Sequence, residues 1–134
     1  MLVDANALFL PIRTGFPLEA EVVRIQPGST VGVPSSVLAE LDRLVLRRTP
    51  DAAAARALAA RYPVVRAPGR GDDAVLLCAR RSGAWVVTAD RALRERLVAE
   101  GVTVLAPRDR HRLERFPGVP RARPPSLGRP RRSR

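Results

Sequence analysis

The chain has 134 residues, 46% of them hydrophobic, and a formal net charge of +11 at pH 7. That length and apolar share suit one domain around one core. With 4% aromatic residues, one cysteine (Cys78) and no uncharged apolar run of ~18 residues, the chain excludes an aromatic base-stacking platform, an intramolecular disulfide and a membrane span.

The apolar start, Met1 to Ile12, carries Asp4 and lacks a basic n-region, so it does not read as a signal peptide. A reducing, cytoplasmic setting is expected. Charge is unevenly placed. Residues 1–106 hold 14 arginines against 11 acids, a net of +3, and residues 107–134 hold 10 against 2, a net of +8.

In chain order, Leu2-Val3 reads as a buried strand ending at Asp4. A short helix from Asn6 should be halted by Pro11, and a second helix spans Leu18–Ile25, closed by Pro27-Gly28. Thr30–Val33 is a strand. Ser35 or Ser36 can cap a helix with Val37, Leu38, Leu41, Leu44 and Val45 on one face. Thr49-Pro50 reads as the cap and first turn of an Ala-rich helix over 51–61. Pro63–Ala67 is a strand and 69–71 a loop, after which Asp72 or Asp73 opens a helix to about Ser82. Trp85–Thr88 is a strand, Asp90 opens a helix that Gly101 closes, and Val102–Leu105 is the fifth strand.

Strands alternating with helices predict an α/β three-layer sandwich, a central parallel five-stranded sheet with helices on both faces. The folded domain is expected over 1–106, a basic extension over 107–116, and a disordered Arg/Pro-rich tail over 117–134.

Ligands in such sheets bind beyond the carboxyl ends of the strands. Asp4 ends the first strand, Glu40 lies about one turn into the helix after the second, Asp73 opens the helix after the third, and Asp90 follows the fourth. All four fall at one sheet edge. Clustered carboxylates repel unless a cation neutralises them, and oxygen ligands favour a hard ion, Mg²⁺ or Mn²⁺. Such an ion suits phosphodiester hydrolysis: one lowers the pKa of a water, and a second ~4 Å away stabilises the leaving oxygen.

Each acid also has an ordinary structural use. Asp72, Asp73 and Asp90 could cap helices, and Glu40 could pair with Arg43 or Arg47. Four independent caps need not all fall on one edge, and Asp4 has no capping partner as obvious. Asp42, Asp51, Glu95 and Glu100 read as helix-surface acids.

The segments Val3-Asp4-Ala5-Asn6-Ala7-Leu8, Val33 to Leu41, Gly71 to Leu76 and Val87 to Leu93 resemble, in order and spacing, the four acidic motifs of the PIN-domain ribonucleases. The resemblance is strongest to archaeal forms allied to toxin nucleases and to small-subunit rRNA-processing nucleases. It implies a Mg²⁺- or Mn²⁺-dependent endoribonuclease, often a homodimer, with Asp4, Glu40, Asp73 and Asp90 as catalytic metal ligands. Asn6 and Thr88 would steady Asp4 and Asp90 from behind, and Asp72 would be an additional acid. Two positions depart from the family: Ala5, where Thr is frequent, and Ala92, where a further acid is common. The alternative is a catalytically weak or inactive RNA-binding scaffold of the same fold.

Arg13, Arg70 and Arg91 flank the motif loops and are candidates for holding RNA phosphates, or else surface cations paired with nearby acids. The tail reads as an electrostatic anchor to RNA or ribosomal particles. A toxin would have an antitoxin protein as partner; an rRNA processor would not. Cys78, Trp85 and His111 read as core, packing or dimer contact, and surface.

Overall fold

The structure is a computed structural model, and it describes residues 1–120. Among the described residues six short strands and six helices follow one another: β1 Leu2–Val3, α1 Ala5–Thr14, α2 Leu18–Ile25, β2 Val33–Pro34, α3 Ser35–Leu46, α4 Ala52–Ala59, β3 Val64–Val65, α5 Gly71–Ser82, β4 Val86–Val87, α6 Arg91–Ala99, β5 Val104–Pro107 and β6 Leu113–Phe116. Among the described residues no helix is long and apolar enough to cross a membrane.

The α/β arrangement is as expected, but the sheet is not one five-stranded parallel sheet. It comprises a four-stranded sheet in the order β1-β4-β5-β6 and a two-stranded parallel ladder, β2-β3. The two meet at a parallel bridge between Leu2 and Gly32, where Val3 N–H donates to the Gly32 carbonyl at 3.1 Å and Gly32 N–H to that of Met1 at 2.8 Å. The first five strands are parallel along their ladders, and the sixth runs antiparallel to β5. The sixth strand arises within the basic segment because Leu113 turns inward and is buried. Its N–H donates to the buried Glu21 carboxylate at 2.8 Å, and Arg24 chelates the same carboxylate at 2.9 Å.

Val3, Val33, Val86, Val87, Val104 and Leu105 are fully buried, with Leu8, Leu41, Leu93 and Leu97 packed around them from the helices. β-branched strands covered on both faces need helices on either side to exclude water. Cys78 is buried and Trp85 half-buried, while His111 is exposed.

Several helix ends differ from expectation. The first helix continues through Pro11 to Thr14, giving up one N–H bond, and is closed by Gly15 in the left-handed region, whose N–H donates to the Pro11 carbonyl at 3.0 Å. Pro34, not a serine, stands at the start of α3, so Ser35 and Ser36 lie inside the first turn. Asp51 rather than Thr49 precedes α4, and Arg70 rather than an aspartate precedes α5.

Of the expected tail, residues 117–120 lie against the fold. Gly118 N–H donates to the Thr103 hydroxyl at 3.1 Å, and Val119 N–H to the Val98 carbonyl at 2.8 Å. The remainder, 121–134, lies outside the described residues.

Candidate metal centre

β1 and β4 run side by side, so their carboxyl ends deliver Asp4 and Thr88 to the same point. Asp4 is the N-cap of α1: its Oδ1 accepts the Ala5 N–H at 2.8 Å. The capping partner that was not obvious in the sequence is therefore its immediate neighbour. Oδ2 accepts from Asn6 Nδ2 at 2.9 Å and from the fully buried Thr88 hydroxyl at 3.1 Å. Thr88 Oγ1 in turn accepts the Asp90 N–H at 3.0 Å, and Asn6 Oδ1 accepts the Ala89 N–H at 2.7 Å. Asn6 and Thr88 thus tie the β4–α6 loop to Asp4. Asp90 uses Oδ1 to cap α6 through the Leu93 N–H at 3.0 Å.

A cavity of about 310 Å³ opens here, lined by Asp4, Glu40, Asp72 and Asp90, together with Asn6 and Arg13. Asp4 is 7% exposed. Burial pushes its carboxyl up to about 6, with the negative charges of Glu40 and Asp72 adding to the effect and the Ala5 and Thr88 hydrogen bonds opposing it.

Asp4, Glu40, Asp72 and Asp90 lie around this one cavity, and Asp73 does not line it. Asp73 is 82% exposed and forms a salt bridge with Arg96. The reason lies in helix geometry. Asp72, itself exposed, precedes Val75, Leu76 and Ala79, all buried, at three-, four- and seven-residue spacing, whereas Asp73 precedes the buried Leu76 but then the exposed Leu77 and Arg80. Adjacent residues on a helix point ~100° apart, so only one of the pair can face the cavity.

Arg70 and Arg91 do not line the cavity. Arg91 pairs with Glu95 at 3.1 Å, and Arg70 is exposed before α5. Three lining residues were not anticipated: Phe9, Leu44 and Thr49. Helical spacing could have found the first two, since Phe9 follows Asn6 by three and Leu44 follows Glu40 by four. Thr49 belongs to the loop between α3 and α4 and carries no such signal.

The donor set is oxygen only, and among the described residues none of the four lining acids forms a salt bridge. Carboxylates without salt-bridge partners around one cavity fit a hard divalent cation by charge and donor chemistry. They do not form a finished coordination shell: among the described residues no three His, Cys, Asp or Glu side chains are grouped closely enough to hold an ion as they stand.

A family model described as a PIN like domain matches residues 1–110. A comparison with curated proteins gave no match. Among solved structures, the chain is similar to that of the PIN domain endonuclease Utp24, with 19% identity, a TM-score of 0.73, and coverage of 90% of this chain and 94% of that one. At that identity the likeness speaks for the fold.

Proposed function

Because the chain belongs to the PIN-like domain family, we propose that it is a divalent-metal-dependent endoribonuclease that hydrolyses RNA phosphodiester bonds at the cavity between Asp4, Glu40, Asp72 and Asp90. The observation that carries this reading is the buried Asp4 carboxyl, raised to about 6 in part by Glu40 and Asp72, in a cavity whose four acids form no salt bridge among the described residues. A bound Mg²⁺ or Mn²⁺ would supply an activated water and offset charge on the phosphate. Asp4 and Asp72, with Glu40 and Asp90, would hold it directly or through its waters, since Mg²⁺ keeps much of its hydration. Asn6 and Thr88 orient the Asp4 carboxylate by donating to Oδ2. The arginine-rich segment beyond residue 107 would add affinity for the RNA backbone, and RNA processing is the role we favour for the activity.

Cleavage of a structured RNA with Mn²⁺ tests the proposal, comparing the wild type with Asp4→Asn. Cleavage abolished by that substitution supports the enzyme. Equal cleavage by both proteins identifies a contaminant and overturns it. The scaffold alternative draws support from the absence of a tightly grouped donor set among the described residues; tight RNA binding without cleavage under any divalent ion would establish it instead.

A further inference from the structure

Arg13 is the cation among the residues lining the acidic cavity, and its guanidinium is held from three sides. Asn6, Phe9 and Arg13 lie at i, i+3 and i+7 on α1 and therefore share one helix face. The Arg13 Cζ stacks 4.3 Å from the centroid of the Phe9 ring. Its Nε–H donates to Asp51 Oδ2 at 3.2 Å, and Nη2 donates to the Pro50 carbonyl at 3.3 Å. Long helical side chains lean toward the N-terminus, which places this cation back over Phe9, about 4.5 Å of helix rise beyond Asn6.

Asp51 is unusual in two respects. It sits in the left-handed region at φ 66°, and although it occupies the N-cap position of α4, its side chain accepts no capping bond there. An aspartate at a helix N-terminus ordinarily accepts a backbone N–H. Here its carboxylate meets Arg13 instead. The pair is only half-exposed, 49% and 44%, and worth little to stability. A strained residue that forgoes its cap for a weak surface pair calls for another use of that pair. Asp51 and Pro50 engage only two of the five guanidinium N–H donors, so the rest remain available.

We propose that Asp51 is a positioning residue: together with Phe9 it holds the Arg13 guanidinium at the rim of the acidic cavity, where the remaining N–H groups bind an RNA phosphate neighbouring the one that is cut. This rests on reading the cavity as a ribonuclease site. It deepens that reading by giving the cavity a preorganised phosphate subsite, built from a loop that carries no family motif.

The test turns on a sign. RNA is a polyanion, so removing an acid from the rim should tighten binding if charge alone matters, or if Asp51 merely sequesters Arg13. Positioning demands the opposite. Asparagine tolerates the left-handed conformation and keeps the shape of aspartate, so Asp51→Asn isolates the carboxylate charge. The affinity of the full chain for a fluorescein-labelled single-stranded RNA is measured in EDTA, and kcat and KM are measured with Mn²⁺.

Arg13→Ala is expected to weaken binding about tenfold, as for loss of hydrogen bonds to a charged group. Asp51→Asn is expected to weaken it about threefold, raising KM and leaving kcat within about twofold. In the Arg13→Ala background, Asp51→Asn should weaken nothing further, because its effect runs through Arg13. Arg13→Lys should not restore affinity, since an ammonium cannot fork between Asp51, Pro50 and a phosphate. Tighter binding by Asp51→Asn, or equal losses in both backgrounds, overturns the subsite while leaving an RNA-cleaving wild type intact. A wild type that neither binds nor cuts RNA overturns the ribonuclease reading and the subsite with it.

Discussion

The Thr88 hydroxyl donates to Asp4 Oδ2 at 3.1 Å across a sequence separation of 84 residues, and Thr88 Oγ1 itself accepts the Asp90 N–H at 3.0 Å. One buried hydroxyl therefore couples two of the acids that line the cavity. It orients the Asp4 side chain and fixes the backbone from which Asp90 projects. A residue with an apolar side chain at the end of β4 could do neither.

Thr88→Val preserves the shape of that residue and removes both bonds. It leaves the Asp90 N–H without its acceptor and the Asp4 carboxylate without one donor, which should cost about 1–3 kcal/mol in denaturant unfolding. Losing an orienting partner should also weaken Mn²⁺ binding about 10- to 100-fold by calorimetric titration. Wild-type stability and metal affinity in Thr88→Val would show that the hydroxyl supports neither.

Asp72→Asn and Asp73→Asn differ in position by one residue and should differ widely in effect. Asp72 lines the cavity, whereas Asp73 is bound to Arg96 at the surface. Loss of a metal-holding carboxylate should cut RNA cleavage with Mn²⁺ at least about 100-fold in Asp72→Asn. Asp73→Asn should stay within about threefold of wild type. The reverse order would mean that α5 presents its other face to the metal.

The pH dependence of stability follows from Asp4 and Glu21, with opposite signs. Asp4 titrates at about 6 when folded, against 3.8 ordinarily, so the folded state holds a proton that the unfolded chain has released. Its contribution is complete below the ordinary value and is lost as pH rises toward the folded one. In EDTA, unfolding free energy should fall by up to about 3 kcal/mol between roughly pH 4 and pH 6.5 and then level off. A divalent ion should flatten that fall by favouring the carboxylate. Glu21 is lowered by its Arg24 partner, and its contribution disappears instead as pH drops below the ordinary carboxylate range. Stability that rises with pH from 5 to 6.5 in EDTA would contradict the assignment for Asp4.

Glu21→Ala should loosen the sixth strand. The carboxylate satisfies the Leu113 N–H and two donors of Arg24, and all three bonds are removed from a site that is 6% exposed. The expected cost is about 2–3 kcal/mol. Faster tryptic cleavage among Arg108, Arg110 and Arg112 should accompany it, since these arginines connect β5 to β6. A cleavage rate equal to wild type would show that β6 is held by its ladder with β5 alone.

Much of this architecture was legible locally. Apolar pairs such as Leu2-Val3 and Val86-Val87, each followed by a polar residue, mark strands that end at one edge, and the 3.6-residue apolar pattern of α3 marks its inner face. Alternation of the two element types implies parallel strands, and parallel strands place Asp4, Glu40 and Asp90 on one side without any knowledge of contacts. The resemblance to the PIN family, carried by four short motifs in order, added what physics alone left open.

The choice between Asp72 and Asp73 was decided in three dimensions. Both occupy the first turn of α5, and only the docking of Val75, Leu76 and Ala79 into the core fixes which one lines the cavity. The sixth strand likewise depends on a buried acid 92 residues away in sequence, and the Arg13–Asp51 pair joins residues 38 apart. Periodicity records how a segment meets water, and caps record how it begins; neither records which distant segment supplies a hydrogen-bond partner. The placing of Asp4, Glu40 and Asp90 at one sheet edge was therefore legible in the sequence on its own. The orientation of their side chains, and the cation held beside them by Phe9, Pro50 and Asp51, came from packing between elements that the sequence keeps far apart.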